Sequence, residues 1–269
     1  MEVINKHLTE VSSILSLYGE NIGNAGLLHG KMGIAVFFAH YASFTHEEQY
    51  NQFADELIED AVNLLLWTCG IDNDNEIFAF NYENGLSGIG VGVAYLVKQG
   101  LMEANLDDVL DDMDMILAKR LTGKTTPVSL MVDIGKYFLA RLSNPKTCKK
   151  YFLLQTMEQI LLLINNYLQI NPVKHPQILG FLNELSEQYT HPVLSSLLNR
   201  QFIPLKIMKI EERNVVSYSN MIKELLNQPD KNIYCYNMEI DGLLNGYAGL
   251  GLSLLSMLDL RHNSWLNLL

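Results

Sequence analysis

The sequence predicts an all-α protein, a barrel in which glycine-led inner helices are wrapped by amphipathic outer helices. Three observations predict it. A short frame of polar, glycine and apolar residues occurs three times, the segments between its copies carry helical periodicity, and no stretch alternates with the period of two that marks a strand.

The frame is clearest when its copies are aligned on their glycines. His29-Gly30-Lys31-Met32-Gly33-Ile34-Ala35 runs into Val36-Phe37-Phe38, and Asn84-Gly85-Leu86-Ser87-Gly88-Ile89-Gly90 runs into Val91 and beyond. Asn245-Gly246-Tyr247-Ala248-Gly249-Leu250-Gly251 runs into Leu252-Ser253-Leu254-Leu255. Each copy reads polar residue, Gly, two variable positions, Gly, Ile or Leu, tiny residue, apolar run. Asp133-Ile134-Gly135-Lys136-Tyr137-Phe138-Leu139 and Leu179-Gly180-Phe181-Leu182 are weaker copies. The starts then fall near residues 30, 85, 130, 175 and 246, intervals that suit a pair of helices with its connections.

The intervening segments read as the outer helices. "EEQYNQFADELIEDAVNLLLWT" puts Phe53, Leu57, Ala61, Leu64 and Leu65 on one stripe with acids opposite. "NLDDVLDDMDMILAKRL" carries its acids early and Lys119-Arg120 last, the order a helix dipole favours, and its Asp cluster reads as a solvated face. "KTCKKYFLLQTMEQILLLINNYLQI" is a third such helix, stopped by Pro172.

A glycine inside a helix costs about 1 kcal/mol against alanine, so repeated glycines imply an offsetting packing gain. The structural glycines Gly30, Gly33, Gly85, Gly88, Gly246 and Gly249 leave the first turn of each inner helix bare, so that neighbouring backbones can approach. Asn84 and Asn245 stand where a side chain caps exposed N–H groups. Helix starts that converge at one rim make a donor-rich mouth suited to an anion or a polar peptide group.

Composition bounds the rest. With 269 residues, 48% hydrophobic and 18% charged, the chain is expected to form one domain over residues 1–269 with a sizeable core. A formal net charge of -11 argues against binding a nucleic-acid backbone. The N-terminus shows no secretory signal and the densest apolar stretches are too short to span a bilayer, so a soluble, cytoplasmic protein without a membrane span is expected. Cys69, Cys148 and Cys235 have neither the number nor the spacing of a disulfide framework. "GIGVG" lacks the spacing of a dinucleotide loop, and no nucleophile elbow or phosphate loop is present. His40, three turns after His29 and on a similar face, reads as a core or near-core residue.

"GLLHGKMGIAVFFAHYA", "ENGLSGIGVGVAYLVKQG" and "DGLLNGYAGLGLSLLSMLD" resemble the repeats of lanthionine synthetase C-like (LanC-like) proteins. The resemblance implies an α/α toroid, here with fewer repeats than the seven of a full-length member. Enzymes of that family use zinc to activate peptide cysteine thiols, which add to dehydrated Ser or Thr and close thioether rings. The family's ligands are a cysteine in one repeat and a Cys-His pair, written C-H-G, in another. Here the corresponding positions read Leu28-His29-Gly30, Glu83-Asn84-Gly85 and Leu244-Asn245-Gly246, without the cysteine. A catalytic zinc needs three converging protein ligands, so the zinc site is expected to be degenerate, with no metal ligands assigned and no cofactor expected.

His29, a titratable group at the rim, is the candidate catalytic residue, and as a polar cap it has an equally plain structural use. Lys31, Tyr82, Glu83, Asn84, Asp241, Asn245 and Tyr247 are expected to form the binding rim. The implied function is a role in a ribosomal-peptide, lanthipeptide-type modification system, as a divergent cyclase-like or peptide-binding protein whose partners are a precursor peptide or peptide-modifying enzymes. The alternatives are a non-catalytic scaffold for such enzymes and, from another class, a carbohydrate-active α/α toroid. The latter needs paired carboxylates, for which Glu83 and Asp241 are the rim pair on offer.

Overall fold

In a computed structural model, residues 1–69, 76–122, 126–171, 175–188, 218–228, 230, 232–233, 238 and 242–269 are described. Their architecture is all-α, with no strand among the described residues. In chain order the helices are α1 (Glu2–Tyr18), α2 (Lys31–Thr45), α3 (Glu48–Cys69), α4 (Glu76–Phe80), α5 (Leu86–Lys98), α6 (Leu106–Val109) and α7 (Asp111–Leu121). There follow α8 (Val128–Leu142), α9 (Lys150–Ile170), α10 (Pro176–Gln188), α11 (Tyr218–Asn227), α12 (Tyr247–Leu258) and a terminal 3-10 helix, Leu260–Leu268.

The expected repeat starts become the starts of inner helices. Helix α2 is buried on every side from Lys31 to Ala42, and α5 from Leu86 to Leu96. A helix that is apolar all round belongs in an interior. The inner helices pack in the order α12, α2, α5, α8, α10. Outside them α3 lies on α2, α9 on α8, and α1 on α12, so the first and last long helices of the chain meet. This is the layout of an α/α toroid. Helix α3 buries only Ala54, Leu57, Ile58, Ala61 and Leu65 of its described side chains and gives its acidic face to solvent.

The weak copies are inner helices too, but their glycines do another job. Helix α8 begins at Val128 and α10 at Pro176, so Gly135 and Gly180 lie inside the helices and not at their starts. A Cβ on Gly135 would fall 2.6 Å from the Phe181 ring of α10. The same socket recurs around the arc: a Cβ on Gly90 of α5 would fall 2.2 Å from the Tyr137 ring of α8, and one on Gly251 of α12 would fall 2.3 Å from the Phe37 ring of α2. Each glycine costs about 1 kcal/mol of helix propensity. Burying a large apolar side chain contributes roughly 1.5–3 kcal/mol, so the exchange favours the packed arc.

Two expectations about the outer layer change. The segment predicted as one helix from Asn105 to Leu121 breaks at Leu110 into α6 and α7. Its Asp cluster is not a uniformly solvated face: Asp114 is fully buried because Arg141 of α8, itself 0% exposed, reaches it. Arg141 Nε and Nη2 donate to Asp114 at 3.0 and 2.8 Å, and Nη2 also donates to Asp107 at 3.0 Å. The Tyr137 hydroxyl donates to Asp114 at 2.6 Å. Among the described residues no helix is long and apolar enough to cross a membrane.

Candidate functional site

The three repeat starts are brought together, and main chain joins them. The Leu244 N–H donates to the Leu28 carbonyl and the Leu28 N–H donates to the Glu83 carbonyl, each at 3.0 Å. Leu244, Leu28 and Glu83 hold the same position in the frame, two residues before its first glycine. Each glycine four residues before that first glycine makes the approach possible. A Cβ on Gly242 would fall 2.6 Å from His29 Cα, and one on Gly26 would fall 2.4 Å from Asn84 Cα. The second glycine of each frame has its own constraint. A Cβ at Gly33, Gly88 or Gly249 would run into the carbonyl six residues back, that of Leu27, Tyr82 or Leu243, at 2.4, 1.9 and 2.1 Å.

The way these helices are capped differs from the expectation. Neither Asn84 nor Asn245 caps: the N-caps are Gly30, Gly85 and Gly246, without a side-chain bond. At α2 the N–H groups of Lys31, Met32 and Gly33 donate to the carbonyls of Asn24, Ala25 and Gly26. At α12 the N–H of Gly249 donates to Gly242. The loop before the helix thus fills the orphan positions of the first turn, and the α2 start is not the open donor mouth predicted from its dipole. Asn84 Oδ1 instead accepts from Asn24 Nδ2 at 2.9 Å. Asn245 is exposed and takes a left-handed backbone, φ 64°, which asparagine tolerates better than most residues.

The other rim candidates separate. His29 is half-buried in the turn before α2. Lys31 is buried, and its ammonium faces the outer layer: Nζ donates to Asp60 of α3 at 2.6 Å and to the Glu20 carbonyl at 2.9 Å. Glu83 is exposed and Tyr247 is buried. Asp241 lies outside the described residues. Tyr82 is buried with its hydroxyl donating to the Leu268 carbonyl at 2.7 Å.

Tyr82 also lines a cavity of about 870 Å³ between α5, α8, α10 and the end of the 3-10 helix. Three helices each contribute one face to it. Val91, Ala94, Tyr95 and Lys98 come from α5; Val132, Asp133, Lys136 and Ala140 from α8; Gln177, Gly180, Phe181 and Glu184 from α10. The α5 and α10 sets are spaced i, i+3, i+4, i+7 and the α8 set i, i+1, i+4, i+8, each a single helix stripe. Lys136 holds its ammonium 4.3 Å above the Tyr82 ring, a cation–π contact. Lys98 and Lys146 stand exposed at the ends of the α5 and α8 walls. Of the described rim candidates Tyr82 alone lines this space, and Tyr95, Lys98, Lys136, Lys146 and Phe181 are not singled out by the sequence. Their signal was present in the spacing of Tyr95 with Lys98 and of Asp133 with Lys136, but a stripe carries meaning only once the inner face is known.

Behind the cavity wall lies a buried polar chain. His40 is core, as expected, 2% exposed. Its Nδ1 meets Nδ1 of His262 at 2.9 Å and its Nε2 meets the Tyr95 hydroxyl at 2.6 Å, which in turn meets Ser264 Oγ at 2.8 Å. Burial, and then the neighbouring His262, holds His40 down to about 3, while burial pushes Tyr95 up to about 12.

The described residues at the repeat starts do not fit a zinc centre. His29 stands there with Asn84 and Asn245 at the homologous positions, and an amide is not among the usual zinc ligands. Among the described residues no three of His, Cys, Asp and Glu gather as a metal-binding group. Cys148 is an exposed free thiol ahead of α9, and Cys235 and the Cys69 side chain lie outside the description.

An arc of glycine-socketed inner helices whose starts are tied main chain to main chain defines a helical-repeat protein of the α/α-toroid class. Residues 21–134, which hold the first two repeat starts, match the family described as lanthionine synthetase C-like protein, and over that stretch the chain is similar to it. No curated protein matches the chain, and no solved structure does.

Proposed function

We propose that the protein is a peptide-binding LanC-like member of a ribosomal-peptide, lanthipeptide-type modification system, acting in the cytoplasm and presenting a precursor peptide to modifying enzymes. The observation that carries this reading is the cavity of about 870 Å³, whose Tyr82 hydroxyl already donates to a main-chain carbonyl, that of Leu268. Its size is that of an ordinary ligand pocket, and its walls combine apolar surface with a few polar groups.

The binding role is preferred over cyclisation because Asn84 and the first turn of α2 are occupied by the scaffold. Asn84 is bound to Asn24, and the first N–H groups of α2 to the loop before it. The test is a calorimetric titration of the full chain with a dehydrated, cysteine-bearing peptide, followed by a count of free thiols. Saturable binding with an unchanged thiol count is expected. Catalytic loss of thiols, abolished by His29→Ala, would establish the cyclase reading instead, and a flat titration would end the peptide reading altogether.

A further inference from the structure

The 3-10 helix Leu260–Leu268 is nine residues long, where such helices commonly stop after about three or four. With three residues per turn every third side chain falls on one line, and that line is His262, Trp265 and Leu268, all buried. Leu260, Arg261, Leu266 and Asn267 are exposed on the other side. The segment is a single layer with one face on the protein, and its packing is chiefly on α12.

Polar contacts spread along its length hold that face down. His262 Nδ1 meets His40 Nδ1 of α2 at 2.9 Å, and Ser264 Oγ meets the Tyr95 hydroxyl of α5 at 2.8 Å. The Leu268 carbonyl accepts from the Tyr82 hydroxyl at 2.7 Å. Ser256 Oγ of α12 donates to the His262 carbonyl at 3.1 Å and accepts from Trp265 Nε1 at 3.2 Å. Asn267 and Leu268 line the cavity, so what fastens the segment also closes one side of that space.

Of these fastenings the first answers to acid. Two imidazoles that face each other through Nδ1 need one bare nitrogen between them, and a proton placed there sets two donors against each other. The other ionisable groups of the helices around the pair do not relieve this. On α2, Lys31 is bonded to Asp60 and Tyr41 stacks on Phe37. Helix α5 brings Tyr95, bonded to His40 Nε2, and its last residue Lys98; α12 brings its first residue, Tyr247. Beside His262, Asp259 favours the proton and Arg261 opposes it, with Arg261 Nε donating to Asp259 at 2.7 Å. Burial outweighs both and keeps His262 below its ordinary value. A His262 lifted into water returns to about 6.5, so below that pH the lifted form takes a proton that the seated form refuses.

We propose that Leu260–Leu268 is an acid-released strap, which closes one side of the cavity at neutral pH and lifts away in acid while the inner helices stay folded. Those helices pack on one another and on the outer layer, so release breaks local contacts only. The device does not depend on what the cavity binds.

The test is hydrogen exchange of the full chain, read by mass spectrometry across this pH range and corrected for the intrinsic chemical rate. Exchange in residues 260–269 is expected to rise at least about tenfold between about pH 6.5 and about pH 5, while α5 and α8 stay better protected than the strap. Trp67→Phe leaves Trp265 as the one tryptophan of the chain, and its emission should shift to longer wavelength over the same interval and return on neutralisation. His262→Gln, which cannot titrate, should remove the rise. Ser264→Ala cuts a fastening that carries no titrating group, so its exchange should increase at every pH with the slope unchanged. A strap whose exchange ignores pH overturns the proposal, as does one lost together with α5 and α8, which is unfolding of the whole. A wild-type rise that persists in His262→Gln overturns it too. The wild-type measurement decides alone if a variant folds poorly.

Discussion

The imidazoles of His40 and His262 meet Nδ1 to Nδ1 at 2.9 Å, so one ring donates and the other accepts with that nitrogen bare. Burial lowers both rings from their ordinary value, His40 to about 3, and Asp259 pulls His262 only part of the way back. In the unfolded chain such rings titrate near pH ~6.5, so below that the unfolded state takes up protons that the folded state refuses. Stability is therefore full above that pH and falls as the solution is acidified toward the folded value of His40. Between about pH 7 and about pH 5, His40 alone should account for roughly 2 kcal/mol. Urea unfolding at both pH values checks this, with His40→Gln, which cannot titrate, expected to flatten the dependence. An equally steep wild-type and variant response would remove His40 from the explanation.

Gly242 should be among the least replaceable residues. Its φ is +81°, and a Cβ there would sit 2.0 Å from the Leu28 carbonyl oxygen. Gly242→Ala is expected to cost at least about 2 kcal/mol, since strain and steric conflict act together. Gly23 is the control, with nothing within 4 Å of an added Cβ. Thermal unfolding of the two alanine variants side by side tests the distinction, and similar midpoints would contradict it.

Arg141 is fully buried against Asp114, which Tyr137 also bonds. Removing the cation by Arg141→Met leaves the buried Asp114 carboxylate with the Tyr137 hydroxyl and the more distant Lys149 ammonium, 3.8 Å away, and should cost about 3 kcal/mol. The double variant Arg141→Met/Asp114→Leu should recover most of that loss, because a buried pair exchanged for apolar groups is often close to neutral. Denaturant titration of the two single variants and the double gives the coupling energy directly. Additive losses would show that the two side chains act independently.

Tyr82→Phe removes one hydroxyl and keeps the ring on which Lys136 rests. The Leu268 carbonyl loses its donor at 2.7 Å, so a loss of about 1–2 kcal/mol is expected. Thermal unfolding of the variant beside the wild type checks this, and an unchanged midpoint would contradict it.

How far the sequence could be read follows from what each residue answers to. The starts at residues 30, 85 and 246 were legible because Gly33, Gly88 and Gly249 each answer to a carbonyl six residues back, a local contact that fixes the spacing within every copy. The weak copies gave helices in the right places for a different reason: Gly135 answers to Phe181, on another helix, so only the glycine survives and not the frame around it. Gly26 and Gly242 open the identical strings "GLL", but their contacts run between copies, which no single stretch reveals. Lys31 looked like a rim residue because its neighbours are; its partner, Asp60, comes from an outer helix. The meeting of His40 with His262 spans 222 positions and leaves no periodic trace. The cavity was missed because it runs beside the inner faces of α5, α8 and α10, and not at the helix starts.

The joint from Leu244 through Leu28 to Glu83 is made of amide groups, which every residue but proline supplies. It is therefore indifferent to the side chains standing next to it. The side chains of His29 and Asn84 can be exchanged while this main-chain joint stays made, and Asn245, with its left-handed backbone, narrows the alphabet. An ancestral chemistry can be lost from such a place, or a designed one installed, one side chain at a time.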